Sequence, residues 1–163
     1  SSTSRGLGDV YKRQIQEVFD KVAKKCPEVT LYIVGKNPTD KLKKLVKNRK
    51  NIIVTGKVDS VFSYIKSSTI YISPLRIGSG KKNKIIEAIS CGTPLIASTV
   101  SMEGFEDIED KNLILRADSS NEWVENICKL LSDEEKRIDI KKRMFNLLDE
   151  SYSWKNIAKK LVE

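Results

Sequence analysis

Between Ser73 and Ser98 the sequence reads SPLRIGSGKKNKIIEAISCGTPLIAS, and this stretch restricts the fold more than any other. It has the pattern of a buried strand's end, a glycine-rich turn, an amphipathic helix and the start of a second buried strand. Gly78 and Gly80 flank Ser79 where the chain must turn with no Cβ in the way. From Lys81 to Ser90, Ile85, Ile86 and Ile89 recur at helical spacing with Ala88 beside them. Gly92 stands where a left-handed helix stop is wanted, and Pro94 follows as a breaker. A glycine turn feeding a helix N-terminus leaves backbone N–H groups aimed at one place. Such a place favours an anion, above all a phosphate.

Glu87 admits two readings. It lies four residues after Asn83 and three after Lys84, so all three share a helix face. One reading is a solvated face carrying a Lys84–Glu87 pair, which is the commoner outcome for an arbitrary helix. The other is a carboxylate that accepts both hydroxyls of a ribose while the turn above it holds a diphosphate. Spacing alone leaves both open.

The wider pattern is more specific. The run P-L-R-I-G-S-G-x-x-x-K-I-x-E-A-x-x-x-G-x-P-L-I-A-S, followed by Met102-Glu103-Gly104, resembles the nucleotide-sugar signature of the group 1 (family 4) glycosyltransferases. LYIVGKNP at 31–38, NIIVTGKVDS at 51–60 and YSW at 152–154 agree with it in order and spacing, and the likeness runs from about Ile15 onward. The resemblance implies the C-terminal, donor-binding half of a two-domain GT-B architecture. It also implies roles. Gly56, Lys57 and Val58 would contact the nucleobase, and Glu87 the ribose. Gly78, Ser79 and Gly80 would offer amides to the diphosphate and donor sugar. Arg76, Lys82 and Lys84 would neutralise phosphate, Arg76 as a bidentate fork and the lysines as point charges. Glu103 and Gly104 would belong to a loop beside the donor. Many family members carry E-x7-E, and the first of those positions is Ser79 here, so no carboxylate at that point is expected to assist transfer. No residue of this chain is assigned a catalytic role.

The expected reaction is transfer of a sugar, with retained configuration, from a nucleotide diphosphate sugar to an acceptor hydroxyl in cell-surface glycan or polysaccharide biosynthesis. No Asp-x-Asp motif is present, and neither a metal nor a cofactor is expected. The glycan or lipid-linked acceptor would be bound by an N-terminal domain outside this sequence, and the fragment alone is expected to be inactive. A GT-B nucleotide-sugar epimerase or hydrolase and a non-catalytic nucleotide-binding module are the alternatives. Detecting nucleoside diphosphate binding, and then free sugar against transferred sugar, would separate them.

Composition narrows the remaining classes. The chain has 163 residues, 39% hydrophobic and 32% charged, enough for one domain with a real core and too few for two Rossmann-like domains. No apolar run approaches the ~20 residues of a spanning helix. Cys26, Cys91 and Cys128 are scattered without CxxC spacing, which fits a reducing cytoplasm better than a disulfide framework or a zinc site. Histidine is absent, which removes His-activated nucleophiles from this chain. The net charge of +8 is spread over helices with acids interleaved and no aromatic ladder, so nucleic acid is not the expected partner. A peripheral contact with the anionic inner membrane face is the second option after plain solvation.

The remaining pattern alternates helices and strands. Helices are expected at 15–25, 39–48, 61–67, 81–90, 119–131, 133–148 and 154–161, and strands at 29–34, 52–55, 70–73, 95–98 and 113–115, with Ser120 and Ser132 as helix caps. This rhythm gives an α/β fold with a Rossmann-like parallel sheet and flanking helices. The first fourteen residues, SSTSRGLGDVYKRQ, resemble a translated sequencing-adapter tail, and setting them aside lowers the net charge by two. The expected organisation is therefore an artefactual 1–14 followed by a partial nucleotide-sugar-binding domain at 15–163. In the 3-2-1-4-5-6 order of such sheets the strand before Ile15 is central. Its loss should leave the domain short of backbone partners and poorly stable alone.

Overall fold

The structure, a computed structural model, describes residues 11–74, 82–109 and 112–150, with the backbone alone for Lys82, Asn83, Asp107, Glu109 and Glu150. The chain divides into two compact units between Tyr64 and Ile65.

The first unit opens with α1, which is π-helical over Gln14–Phe19 and α-helical over Asp20–Lys25. Ile15, Val18, Phe19 and Val22 form its buried stripe, as their spacing predicts. Residues 11–13 are helical too, so the end of the expected tail runs into α1, and Tyr11 packs against the core. The helix stops at Cys26, ahead of Pro27, which cannot supply the next N–H. Strand β1 (Leu31–Val34), helix α2 (Asp40–Val46) and strand β2 (Ile52–Gly56) follow. Thr39 caps α2, its hydroxyl oxygen accepting from Leu42 N at 3.1 Å. β1 and β2 are parallel, Leu31 opposite Ile52 and Ile33 opposite Val54. These four residues turn to one face and close on Ile15, Phe19 and Leu42. Tyr32 and Ile53, also opposite one another, are 48% and 40% exposed on the other face. An Asp20–Arg49 ion pair ties α1 to the segment after α2.

Helix α3 (Val61–Ser67) carries the chain across the division, and Ile65 is its buried residue. The second unit contains β3 (Tyr71–Ser73), α4 (Lys82–Cys91), β4 (Leu95–Ala97), α5 (Glu106–Glu109), β5 (Ile114–Arg116), α6 (Ser120–Ser132) and α7 (Glu134–Glu150). A single 3₁₀ turn, Val100–Met102, follows β4. The sheet is parallel in the order β3-β4-β5, with Ile72, Ile96 and Leu115 in register. β4 is central, and Leu95, Ile96 and Ala97 are wholly buried, which explains its unbroken apolar run. Ile85, Ile86 and Ile89 of α4 and Ile140, Met144 and Leu147 of α7 complete the core on the same principle. α4 ends at Gly92, whose φ of +67° is the left-handed stop expected of it.

Among the described residues the hydrogen-bonded ladders are the pair β1–β2 and the triple β3–β4–β5, all parallel.

Several expectations need correction. α6 is capped by Ser119, not Ser120: its hydroxyl oxygen accepts from Glu122 N at 3.2 Å and Glu122 Oε1 accepts from Ser119 N at 3.0 Å. At α7 the cap is Asp133, not Ser132, with Oδ1 accepting from Lys136 N at 2.9 Å. β1 begins two residues later than its apolar run, because Pro27 and Glu28 sit in a turn. The 3₁₀ turn and α5 have no counterpart in the periodicity. The helix expected at 154–161 lies outside the described residues.

Candidate functional site

Parallel α/β sheets present ligands at the carboxyl ends of their strands. In the first unit β2 ends at Gly56, whose φ is +66°, followed by exposed Lys57 and half-buried Val58. Thr55 Oγ1 accepts from Gly35 N at 3.4 Å, tying together the ends of β1 and β2. A Cβ built at Gly35 or Gly56 would meet nothing within 4 Å, so the backbone there is open to close approach. Gly56, Lys57 and Val58 are the residues expected to meet a nucleobase.

In the second unit the ends of β3 and β4 are joined by three buried hydroxyls. Ser73 closes β3, Ser98 follows β4 and Ser101 lies in the 3₁₀ turn; their exposures are 6%, 5% and 8%. Ser101 Oγ accepts from Ser98 Oγ at 2.9 Å and from Ser73 Oγ at 3.2 Å, and donates to the Ser73 carbonyl at 3.1 Å. On the other side of the same loop, Thr99 donates from N (2.9 Å) and Oγ1 (2.5 Å) to the two carboxylate oxygens of Asp118, just beyond β5. The Thr99 hydroxyl and amide hold the Asp118 carboxyl below its ordinary value of 3.8. Further along the loop Glu103 is exposed, and Gly104, at φ +91°, donates its N–H to Glu106 Oε1 at 3.0 Å.

On α4, Lys84 Nζ stands 3.4 Å from Glu87 Oε2, with the two side chains 27% and 25% exposed. The pair expected on the simpler reading is therefore formed. An i,i+3 pair at this exposure contributes only a few tenths of a kcal/mol, roughly 0.2–0.5. A ligand offering two hydroxyls to Glu87 and a phosphate to Lys84 can displace it at little loss. One turn further on, burial followed by the Glu87 charge pushes the Cys91 thiol up, so it is no ready nucleophile.

Of the residues singled out from sequence, Lys84 and Glu87 are brought together, and Glu103 and Gly104 lie on the loop anchored by Ser101 and Asp118. Gly56, Lys57 and Val58 belong to the other unit. Arg76, Gly78, Ser79 and Gly80 lie outside the described residues, as do the side chains of Lys82 and Asn83. Ser73, Ser98, Thr99, Ser101 and Asp118 were not singled out. The available signal was a polar residue ending each apolar run at β3 and β4. Among the described residues no group of three or more His, Cys, Asp or Glu could hold a metal ion, and no helix is long and apolar enough to cross a membrane.

Comparison with known proteins places this arrangement in context. Residues 10–133 match the family described as glycosyl transferases group 1. The chain is 32% identical over 166 residues to the uncharacterized glycosyltransferase MJ1069 of Methanocaldococcus jannaschii, covering 94% of this chain and 42% of that protein. Its fold is similar to the crystal structure of WaaG, a glycosyltransferase involved in lipopolysaccharide biosynthesis. That match has a TM-score of 0.74 at 16% identity, over 92% of this chain and 43% of that one. The chain thus spans less than half the length of either relative, and the likeness bears out the GT-B type of α/β fold.

Proposed function

Because the chain belongs to the group 1 glycosyltransferases, we propose that it forms the donor-binding half of an enzyme that transfers a sugar from a nucleotide diphosphate sugar to an acceptor hydroxyl. The bond from the anomeric carbon to the diphosphate breaks and one to the acceptor oxygen forms, with retention. Negative charge grows on the leaving diphosphate. Groups already aimed at that charge lower the barrier most. In this reading the amides of Gly78, Ser79 and Gly80 and the cations Arg76, Lys82 and Lys84 supply them. Glu87 holds the ribose, Gly56–Val58 the base, and Glu103 and Gly104 border the sugar. The acceptor is a glycan or lipid-linked glycan bound outside this chain. The setting is cell-surface polysaccharide synthesis at the cytoplasmic face of a membrane, whose anionic lipids attract a chain of net charge +8.

The observation that carries the reading is Glu87: a half-buried carboxylate on α4, the helix that follows the glycine motif, paired with Lys84. Glu87→Ala removes charged hydrogen bonds to the ribose and should weaken binding of UDP, GDP or ADP, whichever binds best, by ~1.5–3 kcal/mol. Calorimetric titration checks this. An unchanged Kd in that variant overturns the ribose role.

A further inference from the structure

Ser101 uses every hydrogen-bonding valence its hydroxyl has. It accepts two bonds and donates one, and all three partners lie at the carboxyl ends of β3 and β4. The Ser73 carbonyl receives both the Ser101 hydroxyl and Ser98 N, the latter at 3.1 Å, so it closes the ladder and anchors the turn together. Ser98 Oγ in turn accepts from Ser101 N at 3.2 Å. The loop from Thr99 to Gly104 is therefore pinned to β3 by Ser101 and to β5 by Asp118.

A hydroxyl cluster inside a sheet normally serves the fold alone, and this unit contains such a case. Thr93 Oγ1 donates to the Ile65 carbonyl at 2.9 Å and is 4% exposed, but it lies at the amino end of β4. The serine cluster occupies the other end, where ligands of parallel sheets gather. Losing the single bond made by Ser73 Oγ or by Thr93 Oγ1 costs the fold a similar amount. Only one of the two places controls where Glu103 and Gly104 stand.

We propose that Ser101 is a positioning residue for donor binding, fixing the Thr99–Gly104 loop against the end of β3 so that Glu103 and Gly104 are presented in one place. This rests on the reading of those two residues as a donor loop. It adds Ser73 and Ser98 as the supports through which Ser101 acts. Ser101→Ala leaves two buried hydroxyl donors without their shared acceptor and frees the Ser73 carbonyl of one of its two donors, so the turn loses its side-chain tie to β3.

The test uses the 163-residue chain, titrated with UDP, GDP and ADP, with melting temperature and amide hydrogen exchange recorded for each variant. Ser101→Ala should raise Kd for the best-bound nucleotide about three- to tenfold and speed exchange at Met102 and Glu103. Ser73→Ala, which removes one bond and keeps the carbonyl contact, should fold normally and raise Kd about two- to threefold. Thr93→Val should lower the melting temperature with Kd unchanged. Equal Kd changes in Thr93→Val and the serine variants would mean that stability alone is at work, and overturn the proposal. Serine variants that bind as wild type while Glu87→Ala binds weakly overturn the positioning role and leave the donor reading standing. Absence of binding to all three nucleotides overturns both.

Discussion

Asp118 shows how a residue with no motif around it comes to matter. Its carboxylate spans the amide and hydroxyl of Thr99, and those bonds favour the charged form in the folded state. A carboxyl with a lowered native pKa stabilises the fold above its unfolded pKa and loses that contribution as pH falls through the native one. The Asp118 contribution should thus be complete at neutral pH and decline below about pH 3.8. Asp118→Ala should lower stability by ~0.5–1 kcal/mol at pH 7, discounted for its exposure, and the gap from wild type should narrow towards pH 3. Thermal melts at both pH values measure it. Neither the Asp118–Thr99 link nor the Ser73–Ser101 link was legible in the sequence, since these partners lie 19 and 28 residues apart and only the sheet register brings them together. The Lys84–Glu87 pair was legible, because neighbours on a helix face are also neighbours in sequence.

At the level of elements, periodicity located the long helices and the strands among the described residues, since burial alternates or runs continuously where the sheet demands it. It missed α5, whose four residues are too few to show a period. Caps were misplaced by one residue at α6 and α7, although Ser119-x-x-Glu122 is itself a capping-box spacing. The stop after α4 was read correctly because only glycine is at ease there. A Cβ at Gly92 would combine a left-handed backbone with an approach of 2.6 Å to Lys141 Cγ and 3.0 Å to Phe145 Cζ. The lysine stem can move and the ring less easily, so Gly92→Ala should cost about 1–3 kcal/mol, read from urea unfolding. The same helix carries Glu87, and that variant is expected to weaken nucleotide binding only as far as it unfolds the chain.

Across the whole molecule, the two ladders differ in what supports them. β4 has a strand on each side and is wholly buried, whereas β1 and β2 form a two-stranded parallel sheet with Tyr32 and Ile53 facing outward. Parallel pairs normally require cover on both faces. Amides of β1 and β2 should therefore exchange at least tenfold faster than those of β4, a gap of ~1.4 kcal/mol in opening free energy. At this scale the α/β rhythm is legible in the residues themselves, whereas a sheet order comes only with the family resemblance. Strand pairing is a long-range property, and no local pattern encodes it. The central claim is that a nucleotide occupies the carboxyl ends of the second sheet. Amide chemical-shift mapping of the labelled chain, titrated with UDP, GDP and ADP, tests it most directly. The largest shifts should fall at Gly56–Val58, Gly78–Gly80, Lys84–Ala88 and Thr99–Gly104. Shifts confined to the opposite strand ends, at Lys66–Thr69 and Cys91–Thr93, would contradict it.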